Sequence, residues 1–323
     1  MRLLDIKNLE VGFDVYGGYL RVLNGVDFSM DEGEKVGLVG ETGCGKTTTA
    51  KSVLNILPVP PARTTGGSIM FKGDDILTMK KNEIRRVHAQ EISMIFQDPT
   101  AALNPVFTIG DQLMTAIRYS CFDEDLSRRE VRDRAVQALR EVRLPDAERI
   151  LKNYPVQLSG GMRQRICIAM ALATRSTLLI ADEPTTSLDV TIQDQVLRLL
   201  GTLIREKDTS AILITHSLGL VREWTERVYV MYAGVMVETA GTQELFENPL
   251  HPYTQGLMAA VPKLTGEGIA PGIEGRIPDY LNPPTGCRFH PRCPHVMDVC
   301  RKEKPSQFDC GEGHKTACFL YRE

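Results

Sequence analysis

Apolar and polar residues alternate along residues 3–16, and again along 20–30, where Leu20, Val22, Leu23, Val26, Phe28 and Met30 recur. A period of two sets one face of a strand against a core, so the two runs read as antiparallel strands joined near Gly17-Gly18. Beyond the turn Asp31-Glu32-Gly33-Glu34 the pattern changes to short continuous apolar runs at 35–39, 68–71 (behind Gly66-Gly67), 91–96, 177–183 and 210–215. Segments of helical period lie between them, at 48–55, 162–173 and 190–206. Apolar strands alternating with helices argue a mostly parallel sheet covered on both faces. Residues 109–154 differ in character. Val131, Ala135, Ala138, Leu139 and Val142 recur at spacings of three and four amid charges, and Pro145 and Pro155 punctuate the stretch. This reads as an all-α insertion in an α/β core. Residues 227–241 read as a closing hairpin with Gly234 in the turn. From about residue 263 glycines and prolines mark an extended linker, followed by a cysteine-rich tail.

The chemistry concentrates at the ends of these strands. Gly40-Glu41-Thr42-Gly43-Cys44-Gly45-Lys46-Thr47-Thr48 fits the pattern G-x-x-x-x-G-K-[ST], with a strand before it and a helix after it. Glycines let the backbone turn so that several N–H groups face one concavity, and the helix N-terminus adds positive dipole charge. Lys46 supplies a mobile charge for phosphates, and the Thr47 hydroxyl can ligate Mg²⁺. Asp182 and Glu183 end the apolar run 177–183. A carboxylate there can hold Mg²⁺, and one placed a residue later can polarise water. Gln97 and His216 follow two other strands. Ser159 is an N-cap for the helix 162–173, and Gly160 and Gly161 bare the backbone N–H groups of its start, which makes a second anion site.

The 323 residues allow one large domain with an appendage, or two domains. With 42% hydrophobic and 24% charged residues, the composition is that of a soluble globular protein. A net charge of −3 announces neither nucleic acid nor an anionic membrane as partner. No apolar run approaches the roughly 18 residues a membrane span needs. Residues 1–6 lack a signal-peptide core, so the expectation is a cytosolic chain whose membrane role comes through a partner.

Of the eight cysteines, Cys44, Cys121 and Cys167 read as small buried apolar residues. The rest crowd the tail as Cys287-x5-Cys293-x6-Cys300-x17-Cys318, with Cys310 left over. In a reducing compartment such a group reads as metal-binding before disulfides. Zinc ribbons use pairs two to four residues apart, and none is present. His290, His295 and His314 keep a mixed Cys/His Zn²⁺ site open.

The order of phosphate loop, Gln97, Leu158-Ser159-Gly160-Gly161, Asp182-Glu183 and His216 resembles that of the ATP-binding subunit of an ABC transporter, over about residues 1–245. Asn248-Pro249-Leu250-His251-Pro252-Tyr253-Thr254 and Gly286-Cys287-Arg288-Phe289-His290-Pro291-Arg292-Cys293-Pro294 are similar to the C-terminal region of the oligopeptide and dipeptide importers. The resemblance implies an ATPase core of mixed sheet with an antiparallel β-subdomain and a helical subdomain, plus a small cysteine-rich extension. The expected domains are 1–247, with the helical part at about 98–174, and 248–323.

It further implies Lys46, Glu183 and His216 as catalytic. ATP contacts would come from Gly40 through Thr48, Gln97, Asp182, Ser159, Gly160, Gly161 and an aromatic residue before the loop, Tyr19 or Tyr16, of which Tyr19 is favoured. Mg²⁺ would be held by Thr47, Gln97 and Asp182. Ser187-Leu188-Asp189 resembles the segment that meets a second subunit. The wide cysteine spacing together with this resemblance favours a [4Fe–4S] cluster on Cys287, Cys293, Cys300 and Cys318 over Zn²⁺.

The implied partners are a second ATPase subunit paired head to tail, membrane permease subunits and, indirectly, an extracytoplasmic peptide-binding protein, with no nucleic acid. In such a pair each signature segment caps the nucleotide of the other subunit. The expected place is the cytoplasmic face of the membrane, and the expected function is peptide import driven by ATP hydrolysis. Import of a metal complex such as nickel, or a non-transport ABC ATPase, are the alternatives.

Overall fold

Strand β1 (Arg2–Val15) turns at Tyr16-Gly17 and returns as β2 (Gly18–Asp31) in the computed structural model, which describes residues 1–185, 190–260 and 272–322. There follow β3 (Lys35–Val39), α1 (Lys46–Val53), β4 (Ala62–Phe71), β5 (Asp74–Asp75), α2 (Lys81–Arg86) and β6 (Ile92–Ile95). The helical stretch holds α3 (Pro99–Ala102), α4 (Ile109–Ser120), α5 (Arg128–Glu141), α6 (Ala147–Ile150) and α7 (Gly160–Ala173). Then come β7 (Leu178–Asp182), α8 (Val190–Glu206), β8 (Ser210–Ile214), α9 (Leu218–Trp224), β9 (Arg227–Tyr232) and β10 (Val235–Gly241). The chain continues through α10 (Thr242–Glu247), α11 (Pro252–Ala259), α12 (Asp298–Lys302), β11 (Phe308–Asp309) and β12 (Lys315–Thr316). It forms two units, residues 1–79 with 213–323, and residues 80–212.

In the first unit β2, β1, β4 and β5 form an antiparallel sheet in that order. Strand β4 begins at Ala62, earlier than the apolar run alone predicts. Gly66 and Gly67 lie inside it rather than before it, where the β1 register shifts between Lys7 and Glu10. Gly67 has φ +89°, and a Cβ there would stand 2.5 Å from the Asn8 carbonyl oxygen, so only glycine fits this bulge. The same unit carries β11, β12, β10, β9 and β3 side by side, parallel between β3 and β9 and antiparallel elsewhere. Its core gathers Val39, Val228, Val230, Tyr232, Val237 and, from the cysteine-rich tail, Phe289.

In the second unit β6 and β7 pair in parallel, from Ile92–Leu178 to Ile95–Ala181. Helices α4, α5 and α7 pack on one another through buried Leu113, Ile117, Val131, Ala135, Leu139 and Ile166. The stretch 109–154 is thus three helices. The capping boxes Thr108/Asp111 and Ser127/Glu130 start the two longer ones, satisfying N–H groups that would otherwise lack partners. Among the described residues no helix is long and apolar enough to cross a membrane.

Candidate functional site

The phosphate loop follows β3 and opens α1. Gly45, the N-cap of α1, has φ +112°, a conformation that side chains resist. Gly40 is held by space as well, since a Cβ there would lie 2.2 Å from the Met231 carbonyl oxygen. The Lys46 ammonium folds back over the loop, donating to the carbonyls of Gly40 at 2.8 Å and Glu41 at 3.1 Å. Lys46 and Cys44 are buried, and burial pushes the Cys44 thiol up despite the Lys46 charge. Cys121 and Cys167 are buried too, which accords with their apolar reading, and burial pushes Cys167 up to about 12. Thr47, Thr48, Thr42 and Gly43 complete the loop.

The loop is tied from outside by residues that carry no local signal in the sequence. The backbone N–H of Glu41 donates to the Tyr253 hydroxyl of α11 at 2.8 Å. The Tyr280 hydroxyl donates to the Gly43 carbonyl at 2.7 Å, and Gly234 N–H donates to the Cys44 carbonyl at 2.7 Å. The Arg292 guanidinium, whose side chain is 6% exposed, pairs with the Glu41 carboxylate at 3.0 Å. Tyr253 and Tyr280 have their hydroxyl protons held above the usual range, chiefly by burial.

Tyr19 lies on β2 with its ring against β1. Its Cζ would stand 2.3 Å from a Cβ at Gly12, and its hydroxyl oxygen is buried without a hydrogen bond. Tyr16 is fully exposed. His216 follows β8 and is exposed, while the neighbouring Thr215 hydroxyl accepts from Ser217 N–H at 3.0 Å.

In the second unit Asp182 ends β7, 2% exposed, and Glu183 follows, 9% exposed, with φ +44°. A non-glycine residue in the left-handed region is held there by its surroundings. Gln97 Nε2 donates to Glu183 Oε2 at 3.0 Å, so two residues far apart in the chain meet. Ser159 caps α7 by accepting from Met162 N–H at 3.4 Å. Gly160 and Gly161 are the first residues of that helix, so their N–H groups lack partners within it. Ser187, Leu188 and Asp189 lie outside the described residues.

Cys287, Cys293, Cys300 and Cys318 line one pocket, together with His290 and His295. Cys310 is exposed and lies elsewhere. Burial pushes Cys287 up to about 11, and the other three thiols add to that. Among the described residues no three His, Cys, Asp or Glu side chains stand close enough to grip a single metal ion. His314 is engaged otherwise. Its Nε2 meets the fully buried Glu238 at 2.7 Å and its Nδ1 lies 3.7 Å from Glu244. Glu238 also accepts the N–H groups of Leu250 at 2.7 Å and His251 at 2.8 Å.

With this geometry in place, comparison with known proteins is specific. The ABC transporter family model matches residues 23–186, and the model of the oligopeptide/dipeptide transporter C-terminal region matches residues 237–300. The chain is 46% identical to the dipeptide transport ATP-binding protein DppD of Bacillus subtilis, over 99% of this chain and 95% of that protein. It is 44% identical to the oligopeptide transport ATP-binding protein AppD of the same organism, over 99% and 97%. A solved ATP-binding cassette, dimeric in a post-hydrolysis state with ADP and Pi, superposes with a TM-score of 0.65 at 25% identity, over 74% of this chain and 98% of that one.

Proposed function

We infer that this chain, which belongs to the ABC transporter family and carries the oligopeptide/dipeptide transporter C-terminal region, is an ATPase subunit that powers import of dipeptides or oligopeptides through separate membrane subunits. The observation that carries the reading is Glu183. It is buried, strained and held by Gln97, immediately after Asp182.

On this reading the N–H groups of residues 40–48 and the Lys46 ammonium bind the triphosphate. Tyr19 stacks on adenine. Thr47, Gln97 and Asp182 would hold Mg²⁺, which when bound neutralises phosphate charge and orients the oxygens. Glu183 takes the proton of the attacking water as its oxygen bonds to the γ-phosphorus and the bond to ADP breaks. His216 holds that water and the γ-phosphate in line. Ser159, Gly160 and Gly161 cap the nucleotide of a second subunit, so pairing completes each site. The ATPase domain is assigned to residues 1–247, with the helical part at about 98–174, and the extension to 248–323. The pair works at the cytoplasmic face of the membrane, on permease subunits fed by an extracytoplasmic binding protein.

The cysteine pocket is assigned one [4Fe–4S] cluster on Cys287, Cys293, Cys300 and Cys318 with a structural role. The support is that these four share a pocket and Cys310 does not. Glu183→Gln tests the catalytic assignment. ATP binding persists, hydrolysis falls by about 10²–10⁴, and a stable ATP-bound dimer accumulates on gel filtration. Wild-type turnover in that variant would remove Glu183 from its role.

A further inference from the structure

The phosphate loop carries a carboxylate, Glu41, among groups that receive a polyanion. An uncompensated charge there repels phosphate. Its compensation comes from the other end of the chain. Arg292 Nη1 reaches Glu41 Oε2 at 3.0 Å and the Tyr232 hydroxyl at 3.3 Å. The same guanidinium is fixed by the carbonyls of Glu274 at 2.7 Å and Ile273 at 3.0 Å. All this occurs one residue before Cys293, which lines the cysteine pocket. Phe289, in the same short segment, packs edge-on against Tyr232 at 5.1 Å and Tyr253 at 5.5 Å, and Tyr253 accepts the Glu41 N–H. Tyr280 adds a second tie at Gly43, while its own carbonyl accepts from Arg21 N–H at 2.9 Å.

We propose that the segment 280–293 is a latch on the phosphate loop: Arg292 and Tyr280 are positioning residues through which ordering of the cysteine pocket raises the affinity for ATP. The proposal rests on the reading of the loop as an ATP site. It gives the tail a task beyond stability. Arg292 neutralises Glu41 and fixes the loop, and its own place depends on the backbone that Cys287 and Cys293 bracket.

The test is nucleotide titration with Mg²⁺–ATP on the full chain, with iron content and thermal unfolding measured on each variant. Arg292→Ala weakens ATP about tenfold, since it leaves a partly buried carboxylate unpaired, and retains iron. In a Glu41→Gln background the same change costs less than about twofold, because no charge remains to compensate. Tyr280→Phe, which keeps the ring and folds readily, weakens ATP about twofold to threefold. In all three cases amide exchange at residues 40–46 quickens without nucleotide. Cys293→Ser loses iron and weakens ATP together. Lowered thermal stability with unchanged ATP affinity in Arg292→Ala and Tyr280→Phe overturns the latch. So does an undiminished Arg292→Ala effect in the Glu41→Gln background. Iron lost with affinity intact in Cys293→Ser overturns the coupling to the pocket. Wild-type protein that takes no nucleotide overturns the ATP reading, and the latch with it.

Discussion

The phosphate loop and the cysteine pocket share one unit but are built by opposite means. The loop hangs between a five-residue apolar strand and an eight-residue helix, and glycine backbone shapes it. The pocket is bordered by the first turn of α11, the five-residue helix α12 and single helical turns, with loops between them. Regular hydrogen bonding supports the first. The second depends on one buried aromatic, Phe289, packed against Tyr232 and Tyr253. Local backbone shapes the first, whereas the second gathers side chains scattered along the tail, and the second also holds the first, through Arg292.

The sharpest break of that contrast is removal of the ligand set. Serine at Cys287, Cys293, Cys300 or Cys318 abolishes the cluster, while Cys310→Ser retains about four iron per chain. Anaerobic iron analysis reads this, and a colourless protein with one zinc per chain in its place would replace the cluster by zinc. Next in size is Phe289→Ala, which removes a side chain only 2% exposed from the shared core. It should cost about 3–5 kcal/mol in denaturant unfolding. A loss under about 1 kcal/mol would mean that the segment does not anchor there.

Burial holds the His251 imidazole down to about 4 from an ordinary 6.5, against the pull of the Glu238 carboxylate. The unfolded chain binds a proton that the fold refuses, so stability is whole above pH 6.5 and falls as pH drops from 6.5 toward 4. The total is on the order of 3 kcal/mol at most. His251→Asn keeps an acceptor for Tyr253 N–H, now at 3.0 Å, and should flatten that slope in melts across the window. An equally steep slope would place the acid-sensitive group elsewhere. The smallest effect belongs to Tyr19→Ala. Lost stacking worth about 1 kcal/mol weakens ATP about fivefold with turnover of bound ATP unchanged. Unchanged affinity there, with a loss in Tyr16→Ala, would move the adenine contact to Tyr16.

Much of this was legible because it is local. The β1–β2 alternation, the strand 35–39 before the loop and the Ser159 cap each lie within a few residues of their cause. The glycines at 66 and 67 misled for a physical reason, since the residue that marks a turn also fits a bulge. The break in 109–154 had its signal in Ser127 and Glu130, a capping box within a charged stretch. What binds the loop had no local structural signal, although Tyr253 and Arg292 fall in the segments similar to the importers' C-terminal region. Tyr253, Tyr280 and Arg292 lie 212, 237 and 251 residues from their partners, and no short-range pattern encodes such contacts. The cysteines stand between these cases. Their count and the grouping of four without Cys310 were read in the sequence, and the fold brings those four to one pocket.

On the proposed reading, hydrolysis at Glu183 powers peptide uptake. Its direct measurement is accumulation of a labelled dipeptide by cells that carry the complete transporter, with wild-type chain or with Glu183→Gln at equal abundance. Uptake is expected to fall to background in the variant while peptide capture outside the membrane is unchanged. Uptake at the wild-type rate in the Glu183→Gln cells would contradict it.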